Sequence, residues 1–138
     1  MKVHTTNYYN TFIAVADDCP VMAAEIPPQK PNARTIANIQ FEMINKHPYK
    51  FTSDDVVFEC FAEKNEISVG DRKSARETFF SKGQPCVRSS PLTKRYGWGV
   101  HSDNKGHVAL LGMDSPEYKK MISDKKIEHT KGMRSKRV

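Results

Sequence analysis

The densest reactive chemistry lies between Phe79 and Asp103, in FFSKGQPCVRSSPLTKRYGWGVHSD. Lys82, Arg88, Lys94 and Arg95 stand there beside Tyr96 and the only tryptophan, Trp98. Basic side chains interleaved with aromatics suit an anionic partner. The cations neutralise its charge, and an exposed ring stacks on a base or another planar group. Ser89, Ser90 and Thr93 add hydroxyl donors for an anion. Lys82, Arg88, Lys94, Arg95, Tyr96 and Trp98 therefore form the expected binding set. The expected partner is an anion, with nucleic acid as one form of it. No RNP, KH or zinc-finger signature accompanies them.

The same stretch offers a thiol chemistry. A cysteine nucleophile needs a base and a setting that favours the thiolate. Cys86 has His101 as the nearest histidine in sequence, with Lys82 and Arg88 as cations. These two residues, Cys86 and His101, are the catalytic candidates if the protein is a small enzyme. Cys86 follows a helix rather than opening one, so it gains no help from a helix N-terminus. Ser89 and Ser90 sit in neither a GxSxG elbow nor an SxxK pattern. Ordinary packing competes with both chemistries, because Tyr96, Trp98 and Val100 alternate as core residues do.

Other chemistries find little support. His101 and His107 flank a turn that contains Asp103, but no HExxH or tight Cys/His cluster joins them. A polar cross-strand pair is the expectation there, with no metal. SKGQP, KGH and YGWG match neither GxxxxGK[ST] nor GxGxxG, so no nucleotide cofactor is expected. Asp55 and Glu59 form an i,i+4 pair that helix capping and solvation explain.

The elements that must position these residues follow from pattern. TFIAVADD, residues 11–18, reads as a short buried strand. EIPPQKPN, residues 25–32, holds three prolines and reads as loop. TIANIQFEMINKHP, residues 35–48, is a helix with Thr35 as N-cap and Pro48 as its stop, although 37–43 also alternates. TSDDVVFECFAEKN, residues 52–65, is a helix with a Thr52–Asp55 capping box. Its Val57, Cys60 and Phe61 share a face, which predicts a core thiol at Cys60. DRKSARETFFSKG, residues 71–83, is a third helix, capped by Asp71 and ended by Gly83. Tyr96–Met113 predicts a β-hairpin closed by a four-residue DNKG turn. Gly97 and Gly99 share a strand face and permit close approach of a neighbour. Ser115 and Pro116 open a final helix. Residues from about 123 onward read as a loosely held basic tail, docked at most through Ile127 or Met133.

This order predicts one α+β domain over residues 1–138. It has a small antiparallel or mixed sheet, with the hairpin in the C-terminal half, packed against three to four helices. One sheet face should take the helices, leaving the other solvated or open to a partner. A chain of 138 residues can bury one core without staples. Cys19, Cys60 and Cys86 are odd in number and contain no CxxC pair, which suggests reduced thiols. With no apolar leader and no membrane-length apolar run, the expected location is the cytoplasm, away from membranes.

Charge is uneven. Residues 1–80 hold 9 Lys/Arg against 11 Asp/Glu, a net of −2, whereas residues 81–138 hold 13 against 5, a net of +8. Such a half suits an anionic partner or simple solvation. Lys105, Lys131, Arg134, Lys136 and Arg137 would extend any basic surface.

The 79–103 block resembles the central segment of a bacterial family of small proteins with no assigned function. The resemblance extends to TFIAVADDCPVMAAEIPP, to MINKHPYKFTSDDVVF, to SPEY and to the terminal MRSKR, covering most of the chain. It implies a small cytoplasmic protein to which Met133–Arg137 natively belongs. It implies no activity, cofactor or catalytic residue.

Overall fold

A computed structural model describes residues 3–29 and 34–134. The chain runs through β1 (Thr11–Ala14), α1 (Ile36–Lys46), α2 (Ser53–Lys64), α3 (Arg72–Phe79) and a single turn, α4 (Pro91–Lys94). It continues through β2 (Trp98–Ser102), β3 (Val108–Gly112), α5 (Pro116–Ile122) and β4 (Glu128–Lys131). Short 3-10 turns stand at Val69–Asp71 and Val87–Ser89.

Four helices begin where a hydroxyl caps the chain. The Thr35 and Thr52 hydroxyls each accept a bond from the third helical N–H, and the Asn38 and Asp55 side chains accept one from the cap residue's own N–H. Each satisfies donors that helix geometry orphans, and losing such a cap costs about 1 kcal/mol. Ser90 and Ser115 repeat the device with proline at the next position. Helix α3 differs from expectation. Asp71 makes no side-chain cap, because its carboxylate accepts from Ser68 at 2.9 Å and its backbone is already helical. The helix then ends at Phe79, four residues before Gly83.

The four strands form one sheet in the order β3-β2-β1-β4. Strand β1 runs antiparallel to β2 and parallel to β4. The predicted hairpin is present, with Val100 opposite Leu110. Its connection is Asp103–His107, one residue longer than DNKG. The Asp103 carboxylate accepts from the Lys105 and His107 N–H groups, and Gly106 takes φ 83° to close the turn.

Alternation divides the core in two. Ile13, Val100 and Val108 join Ile44 of α1, Val56 of α2 and Val87 on the side that α1 and α2 cover. Phe12 points the other way, against Tyr118 of α5. The second sheet face is therefore partly covered by α5 rather than left bare. Gly99 makes that packing possible. A Cβ there would stand 2.7 Å from Phe12 and 2.8 Å from Tyr118.

The expectation of a loosely held tail from 123 gives way to an edge strand. Thr130 and Lys131 pair in register with Ile13 and Ala14. Gly132 N–H then donates to the Ala14 carbonyl at 2.7 Å, and Met133 N–H to the Arg88 carbonyl at 2.8 Å. Main-chain bonding holds this segment, so its polar side chains conceal it from a hydrophobicity pattern. Lys30, Pro31, Asn32, Lys136 and Arg137 lie outside the described residues.

Candidate functional site: a cationic groove beside α2

Val57, Cys60, Phe61 and Lys64 occupy positions i, i+3, i+4 and i+7 of α2, a single stripe along the helix. They form one wall of a recess of about 470 Å³. Pro85, Cys86, Ser89 and Pro91 form the facing wall, with Ile36 and Gln40 of α1 completing it. The sequence folds this way because Ser90 is tied down. Its hydroxyl accepts from Leu92 N–H to start α4 and donates to the buried Gln40 side chain.

The recess continues in both directions. Across the shared Ile36, Lys64, Ser89 and Pro91 lies a second recess of about 500 Å³, bordered by Lys94, Arg95 and Tyr96. Across the shared Phe61, Asn65, Phe79 and Gln84 lies a third, of about 750 Å³, reaching Lys82. The first recess thus shares a wall with each of the other two, which share none between them, and the three together make up the groove.

Charge is arranged along it. Among the described residues, the first two recesses are lined by Lys64, Lys94 and Arg95 and by no carboxylate. Glu42 and Glu63, on the flanking helices, are both taken up by Arg34. Lys64 donates to the Arg34 carbonyl at 3.1 Å, while Lys94 and Arg95 have no ion-pair partner among the described residues. The third recess mixes Lys82 with Glu66 and Asp71. Cys60 supplies no thiolate. Burial, reinforced by Glu63, pushes its thiol up to about 12.

Of the residues expected to bind, Lys82, Lys94, Arg95 and Tyr96 thus share one groove. Arg88 and Trp98 face other tasks. Arg88 Nε donates to the Lys131 carbonyl at 2.8 Å and pins β4. The half-buried Trp98 ring packs on Phe41, with centroids 5.3 Å apart, and its Nε1 donates to the Glu25 carbonyl at 2.8 Å.

The structure does not bring Cys86 and His101 together. Cys86 Sγ lies 3.5 Å from the Tyr8 hydroxyl, on the side covered by α1 and α2. Burial first, and then Cys86, raise the Tyr8 hydroxyl, with Arg88 opposing. His101 pairs in register with Phe12 on the opposite sheet face, and its Nδ1 is 2.8 Å from the Tyr49 hydroxyl. The sheet stands between them.

Sequence reasoning missed the apolar walls. Val57 and Phe61 were legible as a stripe, but a stripe of that spacing reads as core. Both are half-buried and turned to the groove, while Val56 and Phe58 take the core positions. No group of three or more His, Cys, Asp or Glu among the described residues could hold a metal ion. No helix among them is long and apolar enough to cross a membrane.

Fold and groove together define a small α+β protein with a four-stranded mixed sheet and a cation-lined groove on its helical side. Its sequence matches the profile of the "Family of unknown function (DUF6157)" over residues 3–138, and the chain belongs to that family. No curated protein and no solved structure matches it.

Proposed function

We propose that this is a small soluble binding or accessory protein of the bacterial cytoplasm, whose groove receives an anionic partner. One observation supports this most directly: Lys64, Lys94 and Arg95 line adjoining recesses that contain no carboxylate among the described residues. Three cations in recesses lined by no carboxylate favour a local positive potential, which draws an anion and speeds its encounter. The apolar wall beside them favours an anion attached to something less polar than itself. Nothing in this reading requires a covalent step, and Cys86 and Ser89 enter it as part of the wall.

Heteronuclear NMR tests it. Titrating the labelled protein with a decamer of glutamate at ~20 mM salt should shift the Lys94–Tyr96 and Lys64 amides. The shifts should fade as salt rises, since screening weakens exposed charge interactions beyond about 10 Å at 0.1 M. The double variant K94E/R95E should lose them. Absence of shifts at low salt, or shifts confined to β4, would sink the proposal. Replacing the peptide with an oligothymidylate of equal length examines the nucleic-acid form of the same idea.

A further inference from the structure

Building on that reading, we infer that the groove's occupant is an extended peptide segment of a partner protein, acidic at one end and carrying apolar side chains that fill the trough. The shape argues first. The middle recess shares walls with each of the outer two, which share none with each other, and the Val57–Lys64 stripe alone runs about 10 Å at 1.5 Å per residue. A segment crossing all three meets a different chemistry in each.

At one end it meets Lys94 and Arg95, which suit carboxylates. In the middle it meets Val57, Phe61, Phe79 and Pro85, with the Phe61 and Phe79 rings 4.6 Å apart as a continuous apolar ridge. Prolines and packed rings lose little side-chain freedom when a partner binds, so such a wall is preorganised.

Beside the ridge stand two amides. Asn65 donates its NH₂ to the Phe61 carbonyl at 2.9 Å, and Gln84 donates its NH₂ to the Phe79 carbonyl at 2.8 Å. Each bond occupies the amide nitrogen, and no donor to the amide oxygen is found among the described residues. Two amide acceptors beside an apolar trough match the N–H groups of an extended peptide, which must be satisfied when covered. A DNA backbone has no N–H to offer them, although base amino groups do. Its phosphates would approach amide oxygens, and it would cross an apolar stretch without cations between Lys64 and Lys82.

Three fluorescent probes of ten units separate the possibilities by anisotropy at ~50 mM salt. The first is a peptide with four acidic residues at one end followed by Leu and Phe among Ser. The second keeps the four acids and replaces Leu and Phe by Gly. The third is an oligothymidylate. The first should bind about tenfold more tightly than the second, the effect expected of burying one large apolar side chain. The variant V57A, at a position whose side chain lines only the apolar recess, should shrink that difference.

Equal binding of the two peptides would overturn the peptide inference and leave the anion reading standing. Tighter binding of the oligothymidylate would overturn it in favour of nucleic acid. No binding of any probe, repeated at ~20 mM salt, would overturn both.

Discussion

The Tyr49 hydroxyl and Nδ1 of His101, 52 residues apart in the chain, meet at 2.8 Å on the face of the sheet away from the groove. Tyr49 holds φ 60°, an uncommon conformation for a bulky residue. It is strapped there by its N–H to the Val108 carbonyl at 2.9 Å, while the Phe51 carbonyl accepts from Val108. Burial lowers the pKa of His101, with Asp103 and Asp124 partly opposing.

That lowered pKa makes stability depend on pH. As pH falls, the unfolded chain takes up the His101 proton first, near its ordinary value of about 6.5, and the folded chain takes it up later. The contribution is therefore present above about 6.5 and is lost as pH falls through the folded value. Thermal midpoints recorded between pH ~7.5 and ~5 should drop, and the drop should be smaller in H101N. Asp103 acts in a separate, more acidic window. Burial would raise its pKa, but bonds from the His107 and Lys105 N–H groups outweigh that and lower it. An H101N profile identical to the wild type's would show that His101 does not contribute.

Gly99 should not tolerate a methyl group. Phe12 and Tyr118 would stand 2.7 and 2.8 Å from a Cβ at this position, and both are buried rings rather than flexible side-chain ends. Overpacking of a core costs about 1–3 kcal/mol. G99A should lose that much in urea denaturation. The loss should shrink if Tyr118 is shortened in the same chain, since the two sites then share a cavity.

Cys60 should be the last of the three thiols to react. With its thiol pushed up to about 12 by burial, Cys60 stays almost wholly protonated at pH ~8. Cys19 and Cys86 are half-buried and Cys60 is buried. Alkylation followed by peptide mapping should modify Cys60 last by a wide margin. Modification of Cys60 at the same rate as Cys86 would mean that the α2 wall opens readily.

Much of this architecture was readable residue by residue, and the failures have physical causes. Thr35, Thr52 and Ser115 announced helices because a cap hydroxyl works through local geometry alone. The hairpin was readable because alternation and turn chemistry agreed. Ser90-Pro91 carried the same signal as Ser115-Pro116, yet four residues of helix are too few to show a period. The groove was half legible. Charge and aromatics marked Lys82, Lys94, Arg95 and Tyr96, whereas Arg88 and Trp98 have the same residue types and serve β4 and the Glu25 loop. Which of two similar cations faces a groove is decided by tertiary placement.

The edge strand β4 gives the sharpest departure and a direct test. A polar basic tail should be dispensable, whereas a paired strand should not. Glu128 N–H donates to the Asn10 carbonyl at 2.8 Å and Gly132 N–H to the Ala14 carbonyl at 2.7 Å, on either side of the parallel ladder. Phe12, fully buried, has the His129 ring 6.4 Å away on that strand. The exposed Lys131–Asp17 pair adds little, being screened by water. Each main-chain bond contributes about 1 kcal/mol net, so the ladder together with the cover over Phe12 amounts to several kcal/mol. A chain ended at Ile127 should therefore unfold at a clearly lower urea concentration, and the β1 amides should lose their protection from hydrogen exchange. K131A, which removes only the side chain, should change stability by less than about 0.5 kcal/mol. If the shortened chain keeps the full midpoint, residues 128–134 contribute nothing to the sheet, and the view of a loosely held tail would return.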